Sequence, residues 1–250
     1  MRRPRFYRGG EAEEAGPVAQ ALNPQDSPGR KRPELSRGSA VQSESTLEKL
    51  DLKKAYRDLF HAPTSDFVEV RVPTMRFVKV DGAGDPNRAP GYRTAVEWLY
   101  SVSYGMKFAS KRELERDYVV PPLEALWWSD DPESFLRREK DRWQWTVMIM
   151  APDFVTESLF DEAVAKTLAR RDDRPSSLRF EAYDEGRSLQ ILHVGSYDDE
   201  GPVLKRLHDE VMPGLGLTFG GAHHEIYLSD PRRVEPAKLK TILRQPVRDL

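Results

Sequence analysis

Two stretches of the sequence share one pattern: Leu123-Glu-Ala-Leu-Trp-Trp-Ser-Asp-Asp-Pro132 and His224-Glu-Ile-Tyr-Leu-Ser-Asp-Pro231. In each, a glutamate stands inside a run of apolar and aromatic residues that ends in Ser-Asp and Pro. Runs of this kind, bounded by turn residues, are typical of buried β-strands. Glu225 follows Glu124 by 101 residues, and this spacing indicates an internal repeat.

The segments that precede these two strands repeat as well. Phe77-Val-Lys-Val-Asp-Gly-Ala-Gly-Asp85 and Ile191-Leu-His-Val-Gly-Ser-Tyr-Asp198 each indicate an apolar strand that runs into a turn before a helix. Two strand-helix-strand-strand units in one chain predict an α+β fold with a pseudo-twofold pair of antiparallel sheets, each carrying a helix on one face. We place the units at about residues 66–152 and 176–250, joined by an amphipathic helix at about residues 155–171.

The first 45 residues differ in composition from the rest of the chain. They are rich in Pro, Gly, Ser, Gln and charged residues, and their few apolar side chains are aperiodic. Because such a segment buries too little apolar surface to offset its ordering entropy, it is predicted to be a disordered tail, with the folded domain at residues 46–250. Its arginines, with Phe6 and Tyr7, could contact RNA or an acidic surface, but a solvated tail is favoured. Ser45-Thr46-Leu47-Glu48 has the pattern of a capping box and predicts a helix that ends near His61.

The charge balance and the absence of cysteine exclude several classes of function. The chain has 39 Lys and Arg residues and 41 Asp and Glu residues, so its formal net charge is -2 and nucleic acid is not expected as a partner. A chain with 0 cysteines has no disulfide, no cysteine-ligated zinc and no thiol nucleophile. Since no apolar run reaches the length of a signal or transmembrane segment, we expect a cytoplasmic protein with no membrane partner.

The second repeated strand supplies the candidate chemistry. Side chains alternate along a strand, so Glu225 shares a face with His223 and Tyr227, whereas His224 points to the other face, which we expect to pack against a helix. A carboxylate among aromatic side chains is costly to desolvate unless it is paired or binds a ligand. These residues alone favour two interpretations of Glu225 equally: a solvated carboxylate at a sheet edge, and a carboxylate in a ligand site.

The tryptophans favour a ligand site. Trp127 and Trp128 are adjacent in a strand and must point to opposite faces, so at most one of them packs in the core against a helix; Glu124 shares a face with Trp128. Flat aromatic walls with a few polar groups are typical of a pocket for a planar, hydrophobic small molecule. A buried glutamate in such a pocket would hold a cation or act as a base on water.

No metal site and no cofactor site is expected. His223 and Glu225 lack both the HExxH spacing and the downstream cysteines of the common zinc sites. The Gly-Ala-Gly loop at residues 82–84 lacks the third glycine of a dinucleotide fingerprint and continues into Asp-Pro, whose charge would repel a pyrophosphate.

Several motifs of the sequence resemble the GyrI-like small-molecule-binding domain, a family related to the ligand domains of multidrug-sensing regulators. The resemblance is carried by His223-His-Glu-Ile-Tyr-Leu-Ser-Asp-Pro231 and by the closing strand Leu239-Lys-Thr-Ile-Leu-Arg-Gln-Pro-Val247. Further segments, among them Val80-Asp-Gly-Ala-Gly-Asp-Pro-Asn87 and Pro122-Leu-Glu-Ala-Leu-Trp-Trp128, are similar to a stand-alone subfamily without a DNA-binding domain. The resemblance covers about residues 48–247.

The resemblance implies a central cleft on the pseudo-twofold axis with Glu225 at its base. It also implies that some members of the subfamily hydrolyse the cyclopropane of DNA-alkylating cyclopropanoid compounds inside an aromatic cage. The expected catalytic residues are Glu225, His223 and Tyr227, and the expected ligand-binding residues are Glu124, Trp127, Trp128, Tyr104, Tyr118 and Tyr183. In this hypothesis a planar dienone stacks between Trp128 and Tyr227, a hydroxyl or His223 polarises its carbonyl, and Glu225 orients or deprotonates the attacking water, with no covalent intermediate.

Two other functions remain open from the sequence. In the first, the domain binds ligands without catalysis: Glu225 and Glu124 attract cationic amphiphilic drugs, and the protein sequesters or senses them. It could also be an interaction protein that acts on a partner such as gyrase, as the family name suggests. Turnover of a ligand would distinguish the first alternative from an enzyme, and co-purification with a protein would support the second.

Overall fold

The computed structural model describes residues 47–131, 134, 137 and 139–250 of the chain. The predicted disordered tail at residues 1–45 lies outside the described residues, and so do Ser45 and Thr46 of the capping box.

Eleven strands and five helices are named here in chain order. The strands are β1 (Lys49–Leu50), β2 (Val68–Val72), β3 (Met75–Ala83), β4 (Asp117–Tyr118), β5 (Leu123–Trp128), β6 (Gln144–Ala151), β7 (Arg179–Tyr183), β8 (Gly186–Val194), β9 (Leu217–Phe219), β10 (His223–Tyr227) and β11 (Lys240–Asp249). The helices are α1 (Leu52–Ala55), α2 (Arg57–Phe60), α3 (Pro90–Glu113), α4 (Glu157–Leu168) and α5 (Gly201–Arg206), the last continuing through a π-helical segment, Leu207–Val211, into the turn Met212–Gly214.

The α+β class predicted from the repeat is confirmed, and the two halves form one continuous sheet. Its strand order is β2-β8-β11-β10-β5-β6-β3-β7, with β9 beside β11, and every neighbouring pair is antiparallel. The expected pair of sheets is joined in the middle, where β5 of the first unit pairs with β10 of the second. The repeated glutamate strands therefore lie side by side at the centre of the molecule.

The two units also exchange strands at their edges. β2 precedes β3 in the chain, but it pairs with β8 of the second unit. β7 precedes β8, but it pairs with β3 of the first unit. Each unit thus completes the sheet of the other, which ties the halves into one folded body around the β5–β10 pair.

Both faces of the sheet are packed against helices. We call the face that carries Glu225 the cleft face and the face that carries His224 the back face. On the cleft face, α3 and α4 pack over the first half, with Trp98, Leu99 and Phe160 in a core shared with Val147. The second half of this face packs against α5 and its continuation, through a smaller core of Leu189, Leu207, Met212, Leu217 and Val247. On the back face, α1 and α2 bury Leu52, Leu59 and Phe60 against Ile226 and Ile242.

The N-terminal helix differs from its prediction. We expected one helix from Ser45 to His61, but Lys49–Leu50 forms a short parallel pairing with Asp117–Tyr118, and the helix begins only after Asp51. The side chain of Asp51 accepts a hydrogen bond from the backbone amide of Lys53, which makes Asp51 the N-cap. The predicted start of the helix was therefore too early. Lys49 and Leu50 pair with the distant strand β4 and are not available to the helix.

The longer helices follow their sequence patterns. Thr156 caps α4 by accepting from the amide of Leu159, and Pro90 occupies the first turn of α3, where a missing amide hydrogen is tolerated. α3 has 24 residues, but polar residues on its outer face keep it amphipathic. Among the described residues, no helix combines the length and the apolar character needed to cross a bilayer.

One glycine is required by a close approach of an aromatic ring. Gly82 pairs with Trp145 across β3 and β6, and the indole ring folds back over the glycine. A Cβ atom built on Gly82 would lie 2.1 Å from Cη2 of Trp145. Only a residue without a side chain lets this tryptophan lie flat against β3, where it supports the aromatic side chains of the cleft face.

Candidate ligand cleft

The centre of the cleft face carries the predicted carboxylate. In β10 the alternation of side chains places Glu225 and Tyr227 on this face, and the hydroxyl of Tyr227 donates to Oε2 of Glu225 at 2.7 Å. Across the sheet Glu225 pairs with Ala125, whose small side chain leaves room beside the carboxylate. Two residues further along β5, Nε1 of Trp127 donates to the Tyr227 hydroxyl at 3.3 Å. A carboxylate, a phenol and an indole thus form one connected group.

Aromatic side chains from three other segments surround this group. Tyr92 of α3 stacks on Trp127, with ring centroids 6.2 Å apart, and contacts Trp145 edge-on at 5.0 Å. Tyr197, from the turn after β8, contacts the ring of Tyr227 edge-on at 5.6 Å. These contacts line the carboxylate with flat apolar surfaces, an arrangement that suits a planar ligand.

Burial controls the ionisation of Glu225. Desolvation raises the pKa of Glu225 to about 7, although the hydrogen bonds from Tyr227 and Trp127 and the positive charge of His224 oppose the rise. The side chain keeps 14% of its surface exposed, so the carboxylate is accessible from outside. Near neutral pH the group can therefore both accept and release a proton, which is the property required of an acid–base catalyst.

His223 lies beside this carboxylate as a neutral imidazole. Its Nε2 is 3.7 Å from Oε1 of Glu225, which is too long for a hydrogen bond. Burial, with smaller contributions from the neighbouring His208 and His224, lowers the pKa of His223 to about 3. The side chain can therefore offer a ring N–H to a ligand, but it does not supply a positive charge.

Several buried polar atoms near this group have no hydrogen-bond partner among the described residues. They are the hydroxyl of Tyr92, Nε1 of Trp145, both ring nitrogens of His223 and Oε1 of Glu200. An unpaired buried polar atom costs roughly 1–3 kcal/mol, and folded proteins leave few of them without a reason. Their grouping on the cleft face indicates a site that a polar ligand or water completes.

The back face carries a different set of charged residues. His224 Nδ1 contacts Oε1 of Glu185 at 2.8 Å, and its Nε2 lies 3.0 Å from Oε2 of Glu124. Nη1 of Arg244 donates to the other oxygen of Glu185 at 3.0 Å, and Nε donates to Gln190. Although burial acts in the opposite direction, the two carboxylates raise the pKa of His224 to about 9. Likewise, against the effect of its own burial, His224 and Arg244 lower the pKa of Glu185 to about 2.

This network corrects the expected role of Glu124. The carboxylate is on the back face, 1% exposed, and forms an ion pair with His224 instead of facing the ligand with Glu225. The reason is the strand register: Glu124 pairs with Ile226, which is one residue away from Glu225 and therefore points to the opposite face.

Two further ligand-binding candidates lie on the back face as well. Trp128 packs on the back-face core, on the opposite side of the sheet from Tyr227, whereas Trp127 lies on the cleft face and donates to the Tyr227 hydroxyl. Tyr183 contacts Phe77 edge-on within the same back-face core. Adjacent residues of one strand always point to opposite faces, but the sequence did not show which of the two tryptophans faces the cleft.

The remaining two candidates lie on the side of α3. Tyr118 is buried on β4, where its hydroxyl contacts the carbonyl of Ser103 and its ring meets Phe154 edge-on. Tyr104 stands on α3 between Tyr100 and Phe108 in a row of stacked rings. Neither has a ring contact or hydrogen bond with the Glu225 group among the described residues.

Sequence reasoning missed three residues of the site: Tyr92, Tyr197 and Glu200. Tyr92 belongs to no motif of the sequence, and only the packing of α3 over β5 brings it to Trp127. Tyr197 stands at the end of the repeated segment Ile191–Asp198 and Glu200 just after it, in the acidic turn Tyr197–Glu200, but nothing in the repeat marked either as a site residue. Their one sequence signal was the position of this turn directly after the repeated strand β8.

A cavity of about 190 Å³ lies apart from this group. It opens between α1 and the connection from β6 to α4, and its lining includes Tyr56, Met75, Arg116 and Phe154. None of the predicted site residues lines it. The Glu225 group lies elsewhere, among the aromatic rings of the cleft face.

Comparisons with known proteins agree with the fold. A family model described as "GyrI-like small molecule binding domain" matches residues 65–248. An uncharacterised conserved protein from Listeria innocua is 38% identical over 80% of this chain and 100% of its own, with a TM-score of 0.73. Two crystal structures of a hydrolase from the same organism are each 37% identical over the same shares, with TM-scores of 0.71 and 0.69. No curated protein sequence matches the chain significantly.

Proposed function

Since the chain belongs to the GyrI-like family of small-molecule-binding domains, we propose that its cleft binds planar hydrophobic xenobiotics and opens the cyclopropane ring of cyclopropanoid DNA-alkylating compounds by adding water. The hydrolase structures from Listeria innocua, at 37% identity over the whole of their length, support a hydrolytic reaction. The cyclopropanoid substrate is the specific part of the proposal, and it comes from the resemblance of the motifs.

One observation carries this proposal: the Glu225 carboxylate is hydrogen-bonded to the Tyr227 hydroxyl at 2.7 Å inside an aromatic wall. Burial raises the pKa of Glu225 to about 7, so the group is matched to proton transfer at neutral pH. A buried carboxylate that only stabilises the fold is expected to have a cation beside it on the same face of the sheet. The positive charge that acts on Glu225 is instead His224, on the back face.

In the proposed reaction a spirocyclopropyl dienone lies beside Glu225, against the aromatic side chains of Trp127, Tyr92 and Tyr197. Glu225 takes a proton from a water molecule whose oxygen attacks the cyclopropane methylene. The C–O bond forms as the strained C–C bond breaks, and the electron pair of that bond moves into the ring, which becomes an aromatic phenolate. Protonation of the phenolate oxygen completes the addition of one water and removes the electrophile that alkylates DNA.

The catalysis required of the protein is modest. The strained ring already reacts with water, and each 1.4 kcal/mol or so of preferential transition-state stabilisation increases the rate about tenfold. Placing a carboxylate base next to the bound water is expected to supply about two to four orders of magnitude. No covalent protein intermediate is needed.

Turnover tests this proposal directly. Purified protein is incubated with a several-fold excess of a spirocyclopropyl cyclohexadienone, and substrate and product are followed by mass spectrometry. The expected product carries the mass of one added water, and substrate disappears beyond one equivalent of protein. Loss of no more than one equivalent, or none, would contradict hydrolysis.

A second candidate function rests on the carboxylate and its aromatic surroundings. An anionic group beside flat rings attracts planar organic cations, so the cleft could bind cationic drugs without reacting with them. The same incubation separates the two functions when it is repeated with ethidium. Tight binding of ethidium that Glu225→Gln weakens, together with no turnover of the dienone, would identify a binding protein.

A further inference from the structure

Glu200 is a second buried carboxylate on the cleft side of the molecule. It ends the short helical turn Tyr197–Glu200 that connects β8 to α5. The neighbouring Asp199 is exposed, but Glu200 is only 5% exposed, and no ion pair to it is found among the described residues. Its Oε1 has no hydrogen-bond partner there either. The fold alone does not explain a carboxylate in this position, because burying one without a partner is costly.

The same turn forms the wall of the cleft opposite β10. Its first residue, Tyr197, contacts the ring of Tyr227, whose hydroxyl binds Glu225. Side chains three residues apart lie on the same side of a 3₁₀ turn, so Glu200 points to the same side as Tyr197, which contacts Tyr227 of the Glu225 group. The electrostatics agree with this placement, since burial and then the charge of Glu225 raise the pKa of Glu200 well above its usual range.

Lys140 forms an ion pair with Asp198 of this turn, with Nζ 3.9 Å from Oδ1, but no lysine or arginine forms an ion pair with Glu200 or Glu225 among the described residues. The titratable groups that face them are His223 and Tyr227 of β10, Tyr92 of α3, Tyr197, Asp198 and Asp199 of the turn, and His208 of the segment after α5. The tyrosines are neutral because burial raises their pKa values, and burial keeps His223 and His208 neutral. The positive charge that acts on Glu225 is that of His224, behind the sheet. Two carboxylates in such surroundings cannot both be ionised at low cost.

The hydrogen bonds indicate which of the two carries the charge. Glu225 accepts from the Tyr227 hydroxyl at 2.7 Å, and a donated hydrogen bond stabilises the ionised form of a carboxyl group. Oε1 of Glu200 has no donor among the described residues, so its carboxyl group is better suited to hold a proton. The asymmetry assigns the base to β10 and the acid to the opposite wall.

We infer that Glu200 and Glu225 hold a single proton between them and form the acid–base pair of the cleft, with Glu200 as a further catalytic residue. This role rests on the proposed hydrolysis. Ionised Glu225 takes the proton of the attacking water, and protonated Glu200 gives its proton to the dienone oxygen as the ring opens. The products leave with Glu225 protonated and Glu200 ionised, and transfer of that proton back to Glu200 restores the starting state. Atoms and charge balance, with one water consumed.

A titration without any substrate tests the shared proton. The glutamate side-chain carboxyl carbons are labelled with ¹³C, and their shifts are followed against pH in the wild-type protein, in Glu225→Gln and in Asp199→Asn. Removing Glu225 is expected to lower the pKa of Glu200 by about one unit or more, because the ionisation of Glu200 then meets no charge on Glu225. Asp199→Asn removes an exposed charge from the same turn and serves as the matched control, with a much smaller shift. An unchanged Glu200 pKa in Glu225→Gln overturns the inference.

A pH–rate profile tests the catalytic role. Wild-type protein should give a bell-shaped profile, with one limb for the base and one for the acid. Glu200→Gln is expected to lower kcat by about tenfold or more and to remove the limb on the alkaline side, while KM changes little. A Glu200→Gln variant with full kcat and an intact bell overturns the role of Glu200. If no cyclopropanoid is turned over at all, the proposed hydrolysis and the catalytic role fail together, and the titration still decides whether the proton is shared.

Discussion

Glu225 and Glu124 lie on neighbouring strands at the centre of one sheet, but on its opposite faces, because Glu225 pairs with Ala125 and Glu124 pairs with Ile226. Glu225 binds the Tyr227 hydroxyl in the cleft, whereas Glu124 forms an ion pair with the buried His224. The two repeated glutamates therefore have different roles. Glu225 lies among the aromatic side chains of the cleft face, and Glu124 belongs to a buried network of charged residues on the back face.

Replacing each glutamate with glutamine should separate the two roles. We expect Glu225→Gln to lower kcat for the dienone by at least about a hundredfold, since the base is lost while the shape is kept. Glu124→Gln leaves the cleft side chains unchanged, so turnover should stay within about threefold of wild type at a temperature where the variant is folded. Its cost should appear in stability, since His224 loses one of its two anionic partners. Full activity in Glu225→Gln would contradict the assignment.

The two adjacent tryptophans offer a matched pair for ligand binding. Trp127 bonds Tyr227 and stacks on Tyr92, whereas Trp128 packs on the back-face core. Trp127→Phe should weaken binding of the phenol product by about tenfold, because a smaller ring contacts the ligand and the indole hydrogen bond is lost. Trp128→Phe should leave the Kd within about twofold. Isothermal titration calorimetry measures both, and equal losses in the two variants would disprove the placement.

The raised pKa of Glu225 predicts a pH-dependent stability. Its pKa is about 7 in the folded protein and near its usual 4.5 in the unfolded chain, so the folded state holds its proton more tightly. The favourable contribution is complete below about pH 4.5 and is lost as the pH rises through about 7. Glu225→Gln removes this loss, so the variant should be more stable than wild type by on the order of 3 kcal/mol at about pH 8 and by less than about 1 kcal/mol at about pH 5.

Urea unfolding of both proteins at the two pH values measures this effect. Comparing the variant with wild type at each pH removes the contributions of all other titrating groups. A stability difference that does not change with pH would show that the carboxyl group of Glu225 titrates normally in the folded protein.

The back-face network should be important for folding. Arg244 is 3% exposed and neutralises Glu185, and it also donates to Gln190 and to the carbonyl of Leu59 at the end of α2. Arg244→Met should lower the free energy of unfolding by about 3–5 kcal/mol, because it leaves a buried carboxylate with only one cationic partner. Urea unfolding monitored by circular dichroism provides the measurement.

A surface arginine gives the control for this experiment. Arg187 forms ion pairs with Glu69 and Asp249 at the edge of the sheet, where both carboxylates are half exposed or more. Arg187→Met should change stability little, because exposed ion pairs are screened by water and salt. Similar losses in the two variants would mean that burial of the Arg244 network contributes nothing special.

The sequence predicts the α+β class, the repeat, and which side chains of one strand share a face. Glu225 and Tyr227 share a face because alternation along a strand is local geometry with a period of two residues. For the same reason Trp127 and Trp128 had to point apart. The long helices α3 and α4 were recognisable because their apolar residues repeat at helical spacing.

Only the tertiary structure decided which side chains of β5 lie on the same face of the sheet as Glu225 of β10. The register of β5 against β10 joins residues about a hundred positions apart, and a slip of one residue would bring Glu124 and Trp128 to the cleft in place of Ala125 and Trp127. That register is set by the packing of the whole sheet against helices on both sides, which no local pattern contains. Tyr92 and Glu200 come from segments far from β5 and β10 in the sequence, and only the packing of α3 and of the turn after β8 buries them in the folded protein.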